Sequence, residues 1–117
     1  MVAASGMTPA HITLGVSDLG ASEHFYRDVL GFSVQRTDES VTVALGTFLL
    51  ILESAPPVGR AKFAFGFRIA DELLDGLAGR VRAGGGHILA GPAPRESGGR
   101  ALLLMDPDHY QLEIFSV

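Results

Sequence analysis

Two stretches of this chain repeat one another at a constant offset, and that repeat limits the folds available to it. The first runs His11-Ile12-Thr13-Leu14-Gly15-Val16-Ser17-Asp18 and the second Ala64-Phe65-Gly66-Phe67-Arg68-Ile69-Ala70-Asp71. Ile12 matches Phe65, Leu14 matches Phe67, Val16 matches Ile69 and Asp18 matches Asp71, each at an offset of 53 residues. Both stretches lead into a segment of helical spacing that ends at glycine, Gly31 in the first and Gly84-Gly85-Gly86 in the second. The copies differ where chemistry is concerned: the first opens on His11, the second on Ala64.

Residue alternation gives each copy its elements. His11 to Val16 reads as a strand with Ile12, Leu14 and Val16 on one face and His11, Thr13 and Gly15 on the other. Ser17-Asp18 supplies a helix N-cap, and Ala21, Phe25, Tyr26, Val29 and Leu30 fall at helical spacing between Gly20 and the stop at Gly31. Strands follow over 32–37, 40–45 and 47–53, so the first copy is β-α-β-β-β. The second restarts with Phe63, Phe65, Phe67 and Ile69 sharing a strand face, for which packing under a helix is the expected role. Asp71 is expected to cap that helix, in which Leu74, Leu77, Ala78 and Val81 share a face. A short strand over 87–90, a polar loop over 91–99, a strand over 100–105, the turn Asp106-Pro107-Asp108-His109 and a last strand over 110–117 complete it. The predicted organisation is one α+β domain over 8–117: module one at 10–54, a Pro-rich linker at 55–61, module two at 62–117, and a disordered tail at 1–7.

Composition narrows the function classes. At 117 residues with 47% hydrophobic and 19% charged side chains, the chain can bury a core. Net charge is −4 and no run of Lys or Arg occurs, which argues against nucleic acid as a partner. The apolar run from Phe48 to Leu52 is too short to span a bilayer, and the opening residues lack the basic start and apolar core of a secretory signal. There is no cysteine, hence no disulfide, thiolate ligand or thiol nucleophile. A cytoplasmic protein without membrane partners is the expectation.

Neither module can bury both faces of its sheet alone. Pairing them lets the helices cover the outer faces while two curved mixed sheets enclose a cleft. The inner faces then carry His11, Thr13 and Gly15; Ala64, Gly66 and Arg68; and Gln111, Glu113 and Phe115. Small and polar residues of this kind suit a cavity wall better than a tight core.

The doubled unit, the segment from His11 to Phe32 and the run Asp106-Pro107-Asp108-His109-Tyr110-Gln111-Leu112-Glu113 resemble the glyoxalase/bleomycin-resistance/extradiol-dioxygenase group, the vicinal-oxygen-chelate (VOC) superfamily. The resemblance covers nearly the whole chain and implies two βαβββ modules, a small-molecule ligand and a homodimer. Enzymes of that group carry four metal ligands, on the first and last strands of each module. By this resemblance His11 matches the first position and Glu113 the last, while Ala64 and Ile51 stand at the other two. Two of four donors remain, and catalytic zinc usually takes three from the protein. Glu53 shares the strand parity of Ile51, so a two-residue shift of register would supply a third.

The candidate ligand-binding residues are therefore His11, Thr13, Phe48, Arg68, Glu113 and Phe115. His11 and Glu113 are a remnant metal site, an acid–base pair, or a hydrogen-bonded polar pair in a cavity. Arg68 either anchors an anion bidentately, lies at a dimer edge, or pairs with Glu113. Phe48 and Phe115 are candidates for a hydrophobic ligand wall. Tyr26 is expected to pack, Tyr110 to close a strand end, Asp106 and Asp108 to serve the turn, and His24, His87 and His109 to face solvent. The first expectation is a small-molecule-binding protein that needs no metal. The alternatives are a metal-dependent lyase, isomerase or dioxygenase in which a divalent ion uses His11 and Glu113, and a cofactor-free enzyme with Glu113 as base.

Overall fold

A computed structural model describes Gly6 and residues 8–57 and 64–117. Most of the expected tail, the second half of the linker and Phe63 of the aromatic stripe lie outside the described residues. The elements are β1 (His11–Val16), α1 (Leu19–His24) continued by a π-helical turn (Phe25–Val29), β2 (Ser33–Arg36), β3 (Ser40–Leu45), β4 (Phe48–Ser54), β5 (Ala64–Arg68), α2 (Asp71–Ala83), β6 (His87–Pro94), β7 (Arg100–Met105) and β8 (Gln111–Phe115). They form two four-stranded sheets of the same topology, β1-β4-β3-β2 and β5-β8-β7-β6. In each, the first strand runs parallel to the last while the rest of the sheet is antiparallel. The duplication read from the sequence is thus a duplication of α+β architecture.

One face of each sheet is dry. Leu14, Val16, Val41, Val43, Leu50 and Leu52 of the first sheet are buried with Phe25, Tyr26 and Val29 of the first helical segment. In the second sheet Leu102, Leu104, Leu112 and Ile114 are buried with Leu74, Leu77, Ala78 and Val81 of α2. The alternation is that of antiparallel sheets covered on one side only. The opposite face stays open: His11, Thr13, Glu53, Ala64, Gly66 and Arg68 are exposed.

Three local expectations need correction. The first helix does not stay α-helical to its end. After Asp18 caps it by accepting from the Ala21 amide at 3.0 Å, the chain widens at Phe25, whose carbonyl accepts from Leu30 N at 2.9 Å. The wider turn lets Phe25, Tyr26 and Val29 all reach the core. Asp71 does not cap α2; Ala70 holds that position without a side-chain bond, and the Asp71 carboxylate is taken by Arg100 and Ser116. The expected loop over 91–99 is strand as far as Pro94. Pro92 and Gly91 read as loop, but β6 is an edge strand with register breaks on either side of Ala90, where a missing N–H costs no ladder bond.

The modules are joined by polar bonds from the β7–β8 turn to module one. Asp106, 3% exposed, accepts from Tyr26 Oη at 2.8 Å. It also accepts from the Asp108 and Tyr110 amides, both at 2.9 Å. Asp108 accepts from Ser17 N at 2.9 Å, and Tyr110 Oη donates to the Gly15 carbonyl at 2.7 Å. Phe32 of module one meets Phe67 of β5 with ring centroids 5.5 Å apart.

Candidate small-molecule site

The ladders fix which residues of the two modules correspond. In module one Thr13 lies opposite Ile51 and Gly15 opposite Glu53. In module two Gly66 lies opposite Glu113 and Arg68 opposite Phe115. Thr13 and Gly66 correspond in the repeat, so Ile51 stands where module two has Glu113, and Glu53 stands where it has Phe115. The register shift that would have turned Glu53 into a third donor is therefore absent. His11, opposite Leu49, corresponds to Ala64, opposite Gln111.

Backbone alternation sets these side chains on the open faces. His11 and Thr13 are exposed at the start of β1, which is an edge strand. Glu113 is half-buried in the middle of β8, between Gly66 on one side and Leu103 of β7 on the other. Beside it Phe115 is half-buried; a Cβ placed on Gly66 would lie 3.7 Å from the Phe115 ring. The Arg95 guanidinium covers that ring at 4.5 Å from its centroid, a cation–π contact from the β6–β7 connection. Among the described residues Glu113 and Arg68 make no ion pair with each other.

Phe48 and Arg68 are brought together across the module junction. They line a cleft of ≈ 400 Å³ with Phe32, Leu45, Phe65 and Gly66. Phe65 and Phe67 pack against the core with centroids 6.0 Å apart, as expected of the aromatic stripe. His11, Thr13, Glu113 and Phe115 lie outside the lining of this cleft. A single chain thus gathers part of the expected site and leaves the rest on bare sheet.

Two groups at the junction that holds these faces in place are perturbed by burial. Burial raises the Asp106 carboxyl, against the hydrogen bonds from Tyr26 and the Tyr110 and Asp108 amides, which favour the ionised form. Burial first, and then the Asp106 charge, raises the Tyr26 phenol well above its ordinary value and keeps it a donor. Turn chemistry alone was the expectation for Asp106. The buried carboxylate and its tyrosine partner, 80 residues away, carry no sequence signal beyond a tyrosine at helical spacing. His24, His87 and His109 are exposed as expected, yet all three border one groove, and His24 pairs with Asp28 at 3.0 Å.

Residues 8–114 match the family model described as Glyoxalase/Bleomycin resistance protein/Dioxygenase superfamily. Among solved structures, a glyoxalase-related enzyme from Fulvimarina pelagi superposes with a TM-score of 0.84 at 25% identity, over 94% of this chain and 88% of that one. A glyoxalase/dioxygenase from Nostoc punctiforme gives 0.80 at 21% identity, over 99% and 95%. The fosfomycin resistance protein FosX from Mesorhizobium loti gives 0.80 at 22% identity, over 94% and 92%.

The donor chemistry can be set against the divalent ion that many such proteins hold. Among the described residues no three His, Cys, Asp or Glu side chains converge as metal ligands. The ladder positions add Ala64 and Ile51, neither of which can donate. One imidazole and one carboxylate fall short of the three protein ligands a catalytic zinc usually takes.

Proposed function

The chain belongs to the Glyoxalase/Bleomycin resistance protein/Dioxygenase superfamily, and from that premise we propose that it binds a small molecule without a metal, as a homodimer. His11, Thr13, Phe48, Arg68, Glu113 and Phe115 form the binding surface. The observation that supports this reading is the ladder register, in which Ile51 corresponds to Glu113 and Ala64 to His11, so neither counterpart offers a donor atom. The exposed open faces support the dimer, because a second copy laid against them encloses His11 and Glu113. Even then each enclosed site holds one imidazole and one carboxylate from those positions. Arg68 and Phe48, which share a cleft, offer an anionic group and an aromatic group their complements.

The test is metal analysis of protein purified without chelator, followed by titration with Zn²⁺, Mn²⁺ and Fe²⁺. The reading expects far less than one equivalent as purified and no saturable binding at micromolar ion. A stoichiometric ion lost on replacing either His11 or Glu113 with alanine would overturn it in favour of the metal-dependent lyase, isomerase or dioxygenase.

A further inference from the structure

A second cavity lies behind β5, on the helix-covered side rather than the face that carries Gly66 and Glu113. Its volume is ≈ 190 Å³. Phe32 of module one, Phe67 and Ile69 of the second module's first strand and its continuation, Leu77 of α2 and Ile114 of β8 give it an apolar wall. Leu77 and Ile114 are buried, so its floor is the dry core of module two.

Its only charged lining residues are Arg68 and Arg80. Arg27, Arg36 and Arg100 are all paired with carboxylates. Arg80 instead gives its Nε to the Val29 carbonyl at 3.3 Å, and Arg68 has no hydrogen-bond or ion-pair partner among the described residues. Two guanidinium groups without carboxylate partners border an apolar hollow in a chain of net charge −4. Arg82 and Arg95 also lack a carboxylate partner among the described residues, but neither borders this hollow; beside its apolar wall a ligand can supply the countercharge to Arg68 and Arg80. A guanidinium fits a carboxylate by two parallel hydrogen bonds.

We infer that this cavity is a second ligand site and that it takes a small apolar monocarboxylate, its hydrocarbon against Phe67 and Leu77 and its carboxylate on Arg68 and Arg80. The size fits one ring or a short aliphatic chain, since pockets for larger, drug-sized ligands run to roughly 300–1,000 Å³. The cavity shares Arg68 with the proposed open-face surface, whereas Arg80, Ile69, Leu77 and Ile114 line the cavity and not the Phe48 cleft, so they separate the two sites.

Methyl and amide NMR titration of the full chain with benzoate, hexanoate and the neutral benzamide tests it. Benzoate and hexanoate are expected to shift the methyls of Ile69, Leu77 and Ile114 saturably. Benzamide, the same shape without charge, should bind at least about tenfold more weakly, the range of one charge-assisted hydrogen bond. Arg68→Gln and Arg80→Gln, each an exposed position, should weaken benzoate by a similar factor and leave benzamide unchanged. Ile69→Phe, which fills the cavity, should abolish both. Equal binding of benzoate and benzamide, benzoate affinity untouched in both arginine variants, or shifts confined to residues around His11 and Glu113 would each overturn the proposal. The last pattern would at the same time support the open-face reading, so the two can fail separately.

Discussion

Single side chains decide how firmly the modules are held together. Tyr26 is fully buried and its hydroxyl is one of three donors to Asp106, itself 3% exposed. Tyr26→Phe keeps the ring and removes that donor. Leaving a buried acceptor short of a partner costs about 1–3 kcal/mol, so the urea midpoint should fall at an unchanged slope. Asp71 sets a pH dependence. Its carboxyl is held below its ordinary value first by Arg100 and then by the Ser116 hydroxyl. A folded value below the unfolded one stabilises fully above the ordinary carboxylate range. That contribution is lost as pH falls through the lowered value. Asp71→Asn should therefore be less stable than the parent at neutral pH, and the gap should close on acidification. Urea midpoints measured for both proteins along a pH series check the sign.

Elements depend on where the chain closes against itself. In the β6–β7 connection Gly98 and Gly99 both have positive φ, at 103° and 69°. A Cβ on Gly98 would meet nothing within 4 Å, whereas one on Gly99 would collide with the Ser116 carbonyl. Gly98→Ala should cost only the backbone strain of about 1–2 kcal/mol, and Gly99→Ala distinctly more, read as the difference in melting temperature between the two variants. In the sheets the dry face carries the stability. Leu50, fully buried in β4 between β1 and β3, should lose about 2–5 kcal/mol on truncation to alanine in equilibrium unfolding. Strand β6 shows how an element escapes a sequence reading. Gly91 and Pro92 are loop residues by propensity, and an edge position with broken register accommodates them.

At the scale of the molecule each sheet buries its helix-covered face and leaves the other face open. The radius of gyration is 14.7 Å and the extents are 42 × 39 × 27 Å. A compact domain of about this length has a radius near 13 Å. No helix among the described residues is long and apolar enough to cross a membrane. The proposed homodimer predicts a sedimentation coefficient of two chains at micromolar concentration. Introducing a charge on the open face, as Thr13→Asp, should shift that population toward monomer without lowering the stability of the isolated chain. A stable monomer in the parent protein would remove the enclosure on which the open-face site depends.

The sequence by itself determined the doubled β-α-β-β-β plan, because hydrophobic alternation and glycine stops are local and were written twice at one offset. It also determined that His11 lacks a counterpart in module two, since Ala64 falls at the matching residue. Which residue of β4 answers to Glu113 was decided only by ladder register: two residues further along, Glu53 would have taken the place of Ile51. Tertiary structure alone brought Tyr26 to Asp106, Phe48 to Arg68, and two arginines without carboxylate partners to one apolar hollow. Contacts between residues far apart in the chain are set by how the modules dock. Periodicity along either module carries no record of that docking.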